Sequence, residues 1–241
     1  MKRVISAALA AFLLVACGGG PHLESPPVVE GDFSAVSPSA ITAVSTRDVW
    51  VVGALDRVSG GSDGLVLQSE DGGRRWRRIG YESGMMSGTR LTAVHVLDRH
   101  RAWVAGVKTV AGVSKAVVFR TEDSGNRFRE IELPINPTVV PKDILDLKFD
   151  TDFNGSLSLI SATGTGKWRT DDGGRSWTMD SWTTTAEAGA HRMVSIHPTR
   201  GYGFRLKAST RPGVTIVEES ANQGKDWMPV SEIAVGYVST W

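Results

Sequence analysis

Beyond Cys17 this chain contains no cysteine, so no internal disulfide can form. It also lacks an excess of charge of either sign. Its 27 Lys and Arg stand against 26 Asp and Glu, a formal net charge of +1, which excludes the basic surplus of a dedicated nucleic-acid binder. The apolar run Val4–Val15 falls short of the ~20 residues of a membrane-spanning helix. Past that run no helix-type periodicity occurs. The histidines are His22, His95, His100, His191 and His197, and the two close pairs are five and six residues apart. Neither interval is a zinc-site spacing and no second cysteine exists, so no metal and no cofactor is expected. Gly164-Thr165-Gly166-Lys167 lacks the upstream glycine of a phosphate loop, Ser161 standing in its place, and reads as a hairpin turn. No G-x-S-x-G elbow is found.

What is there begins with Lys2 and Arg3, the apolar run and small residues before Cys17, the pattern of a secretory signal peptide. Leu14-Val15-Ala16-Cys17 resembles the bacterial lipobox, which implies cleavage before Cys17 and acylation of that residue, using up a lone thiol that an oxidising compartment would otherwise leave free. Residues 1–16 are thus a leader. Residues 17–31, rich in Gly and Pro, are a flexible tether. Gly18 after the cysteine suggests, by the same resemblance, the outer membrane of a cell envelope. Without the leader 225 residues remain, with 25 basic against 26 acidic, long enough for one domain with a real core.

That domain, 32–241, is repetitive. SEDGGRRW from Ser69, TEDSGNRF from Thr121, TDDGGRSW from Thr170 and SANQGKDW from Ser220 share one pattern of hydroxyl–x–Asp/Asn–x–Gly–x–x–aromatic, at intervals of 52, 49 and 50 residues. Alternating apolar runs precede each box, paired runs around a polar turn lie further upstream, and a short run follows. Each unit therefore reads as four short strands, a propeller blade. The expected fold is an all-β propeller of four blades, about 41–81, 91–133, 144–182 and 192–233, with an open or incomplete arc as the alternative. A ring could close by pairing Asp32–Val36 with Ile233–Trp241. An unpaired edge would instead predict association with a partner or a second copy.

The boxes resemble Asp-box (bacterial neuraminidase) repeats, and the whole unit resembles the photosystem II stability/assembly factor-like propellers. Asp-box propellers include hydrolases, receptors, carbohydrate binders and assembly factors, so the resemblance implies a fold more than a function. Physically each box is a turn staple. Asp71, Asp123, Asp172 and Asn222 can accept from backbone N–H groups of their own turn. Gly73, Gly125, Gly174 and Gly224 sit where a positive φ is needed, and Trp76, Phe128, Trp177 and Trp227 return into the sheet. Ser69, Thr121, Thr170 and Ser220 end the preceding strand. Symmetry spreads these acids around the periphery, whereas acid/base catalysis needs two carboxyls converging on one bond, and calcium-loop spacing is missing.

A sialidase, the enzyme class that shares the box, would need a Phe-Arg-Ile-Pro motif before the first box. The nearest match, Phe204-Arg205-Leu206-Lys207, follows the third box and lacks the proline. No catalytic residue is assigned. The basic cluster Arg74, Arg75, Arg77 and Arg78 around Trp76 is a candidate binding patch, with protection of an outer strand edge as its plainer explanation. The sequence thus points to a non-catalytic, lipid-anchored protein-binding or assembly module of the cell envelope, its partner unidentified. A glycan-binding module is the alternative, and a sialidase-like hydrolase a further one. The connectors Tyr81–Arg90, Pro134–Lys142 and Ser181–His191, opposite the boxes, are the expected binding face, where Trp182 or Trp241 could stack on a sugar. Oligomeric state is left open.

Overall fold

The structure, a computed structural model, describes residues 32–184, 194–196 and 199–234. Cys17, the leader, the tether, His191, His197 and Trp241 lie outside the described residues. Among the described residues sixteen strands form four antiparallel sheets, each with its strands in sequence order. Blade 1 holds β1 Phe33–Ala43, β2 Val49–Arg57, β3 Ser62–Ser69 and β4 Arg77–Arg78. Blade 2 holds β5 Thr89–Val96, β6 Ala102–Val110, β7 Val113–Thr121 and β8 Arg129–Glu132. Blade 3 holds β9 Pro141–Phe149, β10 Gly155–Ser161, β11 Thr165–Thr170 and β12 Thr178–Thr183. Blade 4 holds β13 Val194–Ile196, β14 Gly203–Ala208, β15 Thr215–Ser220 and β16 Met228–Ile233. The chain is an all-β propeller of four four-stranded blades.

Among the described residues no blade borrows a strand from the other end of the chain. Val36 pairs with Leu55, its own neighbour in blade 1, and Ile233 pairs with Thr215 in blade 4. Among the described residues Asp32–Val36 makes no pairing with Ile233, and residues 235–241, the rest of the expected partner segment, lie outside the described residues.

Pleat alternation gives every blade two faces, and three apolar clusters glue faces together. Trp50, Val52 and Val66 of blade 1 meet Val104, Val117, Phe119 and Phe128 of blade 2. Trp103, Ala105 and Val118 of blade 2 meet Leu157, Leu159, Trp168 and Trp177 of blade 3. Phe204, Leu206 and Val217 of blade 4 meet Val51, Leu65 and Leu67 of blade 1. Trp50 and Trp103 are 1% and 0% exposed. Burying a ring of that size contributes at most roughly 4–6 kcal/mol.

No apolar cluster of the described residues joins blade 3 to blade 4, and register explains why. The residue opposite each box hydroxyl is Val49, Ala102, Gly155 or Gly203. The next residue, which faces the following blade, is Trp50, Trp103, Ser156 or Phe204. Blade 3 thus presents a serine where the others present an aromatic ring, followed by Ser158. On the facing side, two residues before the box hydroxyl, stand Leu67, Phe119, Trp168 and then Glu218. Glu218 is 5% exposed and held by Arg205 at 2.5 Å and Lys207 at 3.2 Å, all within blade 4. Among the described residues the faces of blades 3 and 4 that would meet are polar.

Candidate functional site

All four boxes form the same turn. Gly73 N–H donates to Ser69 Oγ at 2.8 Å, Gly125 to Thr121 Oγ1 at 3.0 Å, Gly174 to Thr170 Oγ1 at 2.9 Å and Gly224 to Ser220 Oγ at 2.9 Å. Each hydroxyl in turn donates to Oδ1 of Asp71, Asp123, Asp172 or Asn222 at 2.8–3.0 Å. That Oδ1 then accepts from N–H groups three or four residues on, Arg75, Arg127, Ser176 and Asp226 among them. The box glycines have φ of 81°, 81°, 82° and 77°. The residue before each is also left-handed, including the non-glycines Ser124 at 62° and Gln223 at 61°. Their N–H groups tie every box to the inner hairpin of its own blade, through Arg47 O, His100 O, Phe153 O and Gly201 O. These side chains are spent on the turn.

Asp172 shows the electrostatic result. Desolvation pushes its carboxyl up, but the Ser176 N–H and hydroxyl, the Thr170 hydroxyl and the Arg175 N–H outweigh this and hold it down at about 2. Among the described residues no group of three His, Cys, Asp or Glu could hold a metal ion. His95 sits half-buried beside Trp103 and Phe149, at 6.2 and 5.9 Å, rather than in a turn. Gly164 makes the β10–β11 hairpin.

The box aromatics reach back to the preceding blade, except one. Trp76 donates to Ser231 Oγ of blade 4 at 2.9 Å, Phe128 joins the blade 1 seam and Trp177 the blade 2 seam. Trp227 lies half-buried under Arg205 of its own blade, 4.6 Å from the ring centroid.

The arginine cluster does not form one surface. Arg74 donates to Asp71 O at 2.8 Å and faces Glu219 at 3.6 Å. Arg77 donates to Gln68 Oε1 at 2.7 Å. Arg78 turns inward over Tyr81 and Phe33, where desolvation lowers its pKa against the opposing pull of Asp63 and Tyr81. Arg75 stays exposed.

The end of the propeller away from the boxes carries a groove. Its first recess, about 390 Å³, lies between the β2–β3 and β6–β7 hairpins, with Arg90 and Lys142 on its walls. A second, about 250 Å³, continues past Ser114 and Pro141 along Lys115 and Glu132 to the β8–β9 connector. A third, also about 250 Å³, shares Ile135, Asn136 and Val139 and ends on Trp168, Met179 and Trp182. The two rings meet edge-on at 6.5 Å and 86°. Asn136 Oδ1 accepts from the Thr138 N–H and hydroxyl at 3.0 and 2.9 Å, which sets the connector between the second and third recesses. All three expected connectors therefore contribute to the groove, the third through Trp182, while residues 185–191 lie outside the described residues. The hairpin contributions of Ser62 and Ser114 were not foreseen, because they depend on how neighbouring blades are juxtaposed.

No family model and no curated protein matches the chain. Among solved structures, a family 117 glycoside hydrolase of the marine bacterium Zobellia galactanivorans is similar at 11% identity and a TM-score of 0.44, over 88% of this chain and 75% of that one. A glycosyl hydrolase of Bacteroides ovatus is similar at 11% identity and 0.43, over 84% and 71%. A GH74 xyloglucanase of Xanthomonas campestris follows at 12% and 0.29, over 79% and 38%. The likeness is one of architecture.

Proposed function

We propose that this chain is a non-catalytic binding propeller, tethered to the cell envelope through lipidated Cys17, that takes a glycan along the groove opposite its Asp boxes. The observation that carries this reading is the aromatic end of the groove, where the half-buried Trp182 and buried Trp168 adjoin the amide of Asn136. Such a recess combines apolar ring faces with a few polar groups that orient a ligand. The box carboxylates are engaged in their own turns and lie at the other end of the blades, which supports binding without hydrolysis. The test is titration of the protein with oligosaccharide hexamers, read by tryptophan fluorescence, followed by chromatography of the sugar. Saturable quenching without shortened products agrees with the reading, and released mono- or disaccharide overturns its non-catalytic part. Anchoring is tested by metabolic labelling with an alkynyl fatty acid, which the Cys17→Ser variant should fail to incorporate.

A second reading, a protein-binding assembly module of the photosystem II factor-like kind, is favoured by the polar faces of blades 3 and 4. Those faces suit a partner that replaces the missing apolar seam. Cross-linking in native membranes would recover such a partner attached through Lys167 or Lys207.

A further inference from the structure

We infer that the glycan taken by the groove is an acidic one, with its carboxylates at the Arg90–Lys142 end and a sugar ring against Trp182. This rests on the reading of the groove as a glycan site. The recess farthest from the tryptophans is walled by Arg90 and Lys142, with the hydroxyls of Ser62, Thr109 and Ser114 between them. Lys142 is exposed and has no acidic partner within ion-pair distance among the described residues. Arg90 is fixed from the rim by Asp56 at 3.0 Å. One such bond orients the guanidinium and leaves most of its five donors to a ligand. In the middle recess Lys115 is paired with Glu132 at 2.9 Å. The groove walls therefore carry three cations and one carboxylate, with that carboxylate already matched.

Charge falls toward the other end, where the lining is Trp168, Met179, Trp182 and the proline-containing connector. Each feature has a counterpart in an acidic oligosaccharide. Hydroxyls that both donate and accept suit sugar hydroxyls, the cations suit uronate carboxylates, and the indole suits the C–H face of a pyranose. A neutral chain would meet the same rings and hydroxyls but leave Arg90 and Lys142 facing water.

The experiment compares hexagalacturonate with its fully methyl-esterified form, which has the same ring sequence without charge, on the full-length protein by calorimetry at low salt. The acid should bind about tenfold more tightly, an advantage that shrinks as salt screens it. Lys142→Ala, an exposed change, should lower affinity for the acid about three- to fivefold and leave the ester unaffected. Trp182→Ala should weaken both. Equal affinities for acid and ester in the unaltered protein would overturn the acidic assignment while leaving a glycan site standing. Failure of both hexamers to bind would overturn the glycan reading itself. Tighter binding of hexaglutamate than of hexagalacturonate would transfer the groove to acidic peptides and end this inference.

Discussion

Trp103 of blade 2 stacks on Phe149 of blade 3 with ring centroids 3.7 Å apart and planes 11° from parallel, while its Nε1–H donates to Gly173 O in the third box at 2.8 Å. One side chain thus joins a core contact to a box hairpin across a seam. Trp103→Phe keeps the stack but strands the Gly173 carbonyl, and should cost about 1–3 kcal/mol. Trp103→Ala opens a cavity as well and should cost about 3–5 kcal/mol. Urea unfolding of the two variants checks the order. A Trp103→Phe variant as stable as the unaltered protein would mean that the hydrogen bond contributes nothing.

Gly106 stands opposite a bulge in β5, where the register jumps between Leu91 and Ala93. The extra residue, Thr92, exchanges hydrogen bonds with Ile144 of blade 3, donating to its carbonyl at 3.1 Å and accepting from its N–H at 3.3 Å. A Cβ on Gly106 would lie 2.0 Å from Arg90 O, a backbone atom that cannot swing aside. Gly106→Ala should therefore cost about 3 kcal/mol, the upper range for overpacking. Gly112→Ala, at φ 80° but with nothing within 4 Å, should cost only about 1 kcal/mol. Thermal denaturation separates them, and a harmless Gly106→Ala would show that the bulge can relax.

The blades and their staples were legible because each follows from local chemistry repeated four times. A hydroxyl, an Asx residue and a glycine at fixed offsets specify a turn wherever they stand. The left-handed Ser124 and Gln223 were not read, since only the DGG form of the box in blades 1 and 3 announces two such residues in succession. The polar seam was present in the repeats, in Ser156 for Trp50 and Glu218 for Leu67, but appears only once the repeats are aligned on their box hydroxyls and the faces assigned. The groove was legible as connectors and no further. Its walls come from Arg90, Ser114 and Trp182, which belong to the strands β5, β7 and β12 of two different blades, and no local pattern brings them to one surface. The arginine run divides for the related reason that Arg78 folds inward onto Phe33 and Tyr81 and Arg74 answers Asp71, while Arg75 and Arg77 share a shallow recess beside Trp76.

Acid stability should carry the mark of Asp172. Its folded pKa of about 2 lies below the ordinary 3.8. The stabilisation is therefore complete above about pH 4 and is lost as pH falls toward 2. Asp172→Asn keeps an Oδ1 acceptor for the turn, as Asn222 does natively with Ser220 and Asp226, but cannot titrate. It should lower stability at pH 7, where the ionised carboxylate contributes most, converge with the unaltered protein near pH 2, and so flatten the slope between pH 4 and 2. Asp172→Ala should lose the turn at every pH. Denaturant midpoints across that range decide the matter, and a slope unchanged in Asp172→Asn would assign the acid sensitivity elsewhere.

Among the described residues, blades 1 and 2 are each gripped on both faces by apolar clusters, whereas blades 3 and 4 are gripped on one. Local opening requires breaking the contacts that hold a unit to its neighbours, so units with one dry seam open at lower free energy than units with two. Native-state hydrogen exchange should show the amides of β2 and β6 exchanging only through global unfolding, while those of β10 and β14 exchange through smaller openings. A partner that covers the polar faces would raise protection in β10 and β14 and leave β2 and β6 unchanged, because only the former gain a neighbour. Uniform protection across all four blades would require a fourth apolar seam, and Ser156, Ser158, Arg205 and Glu218 cannot supply one.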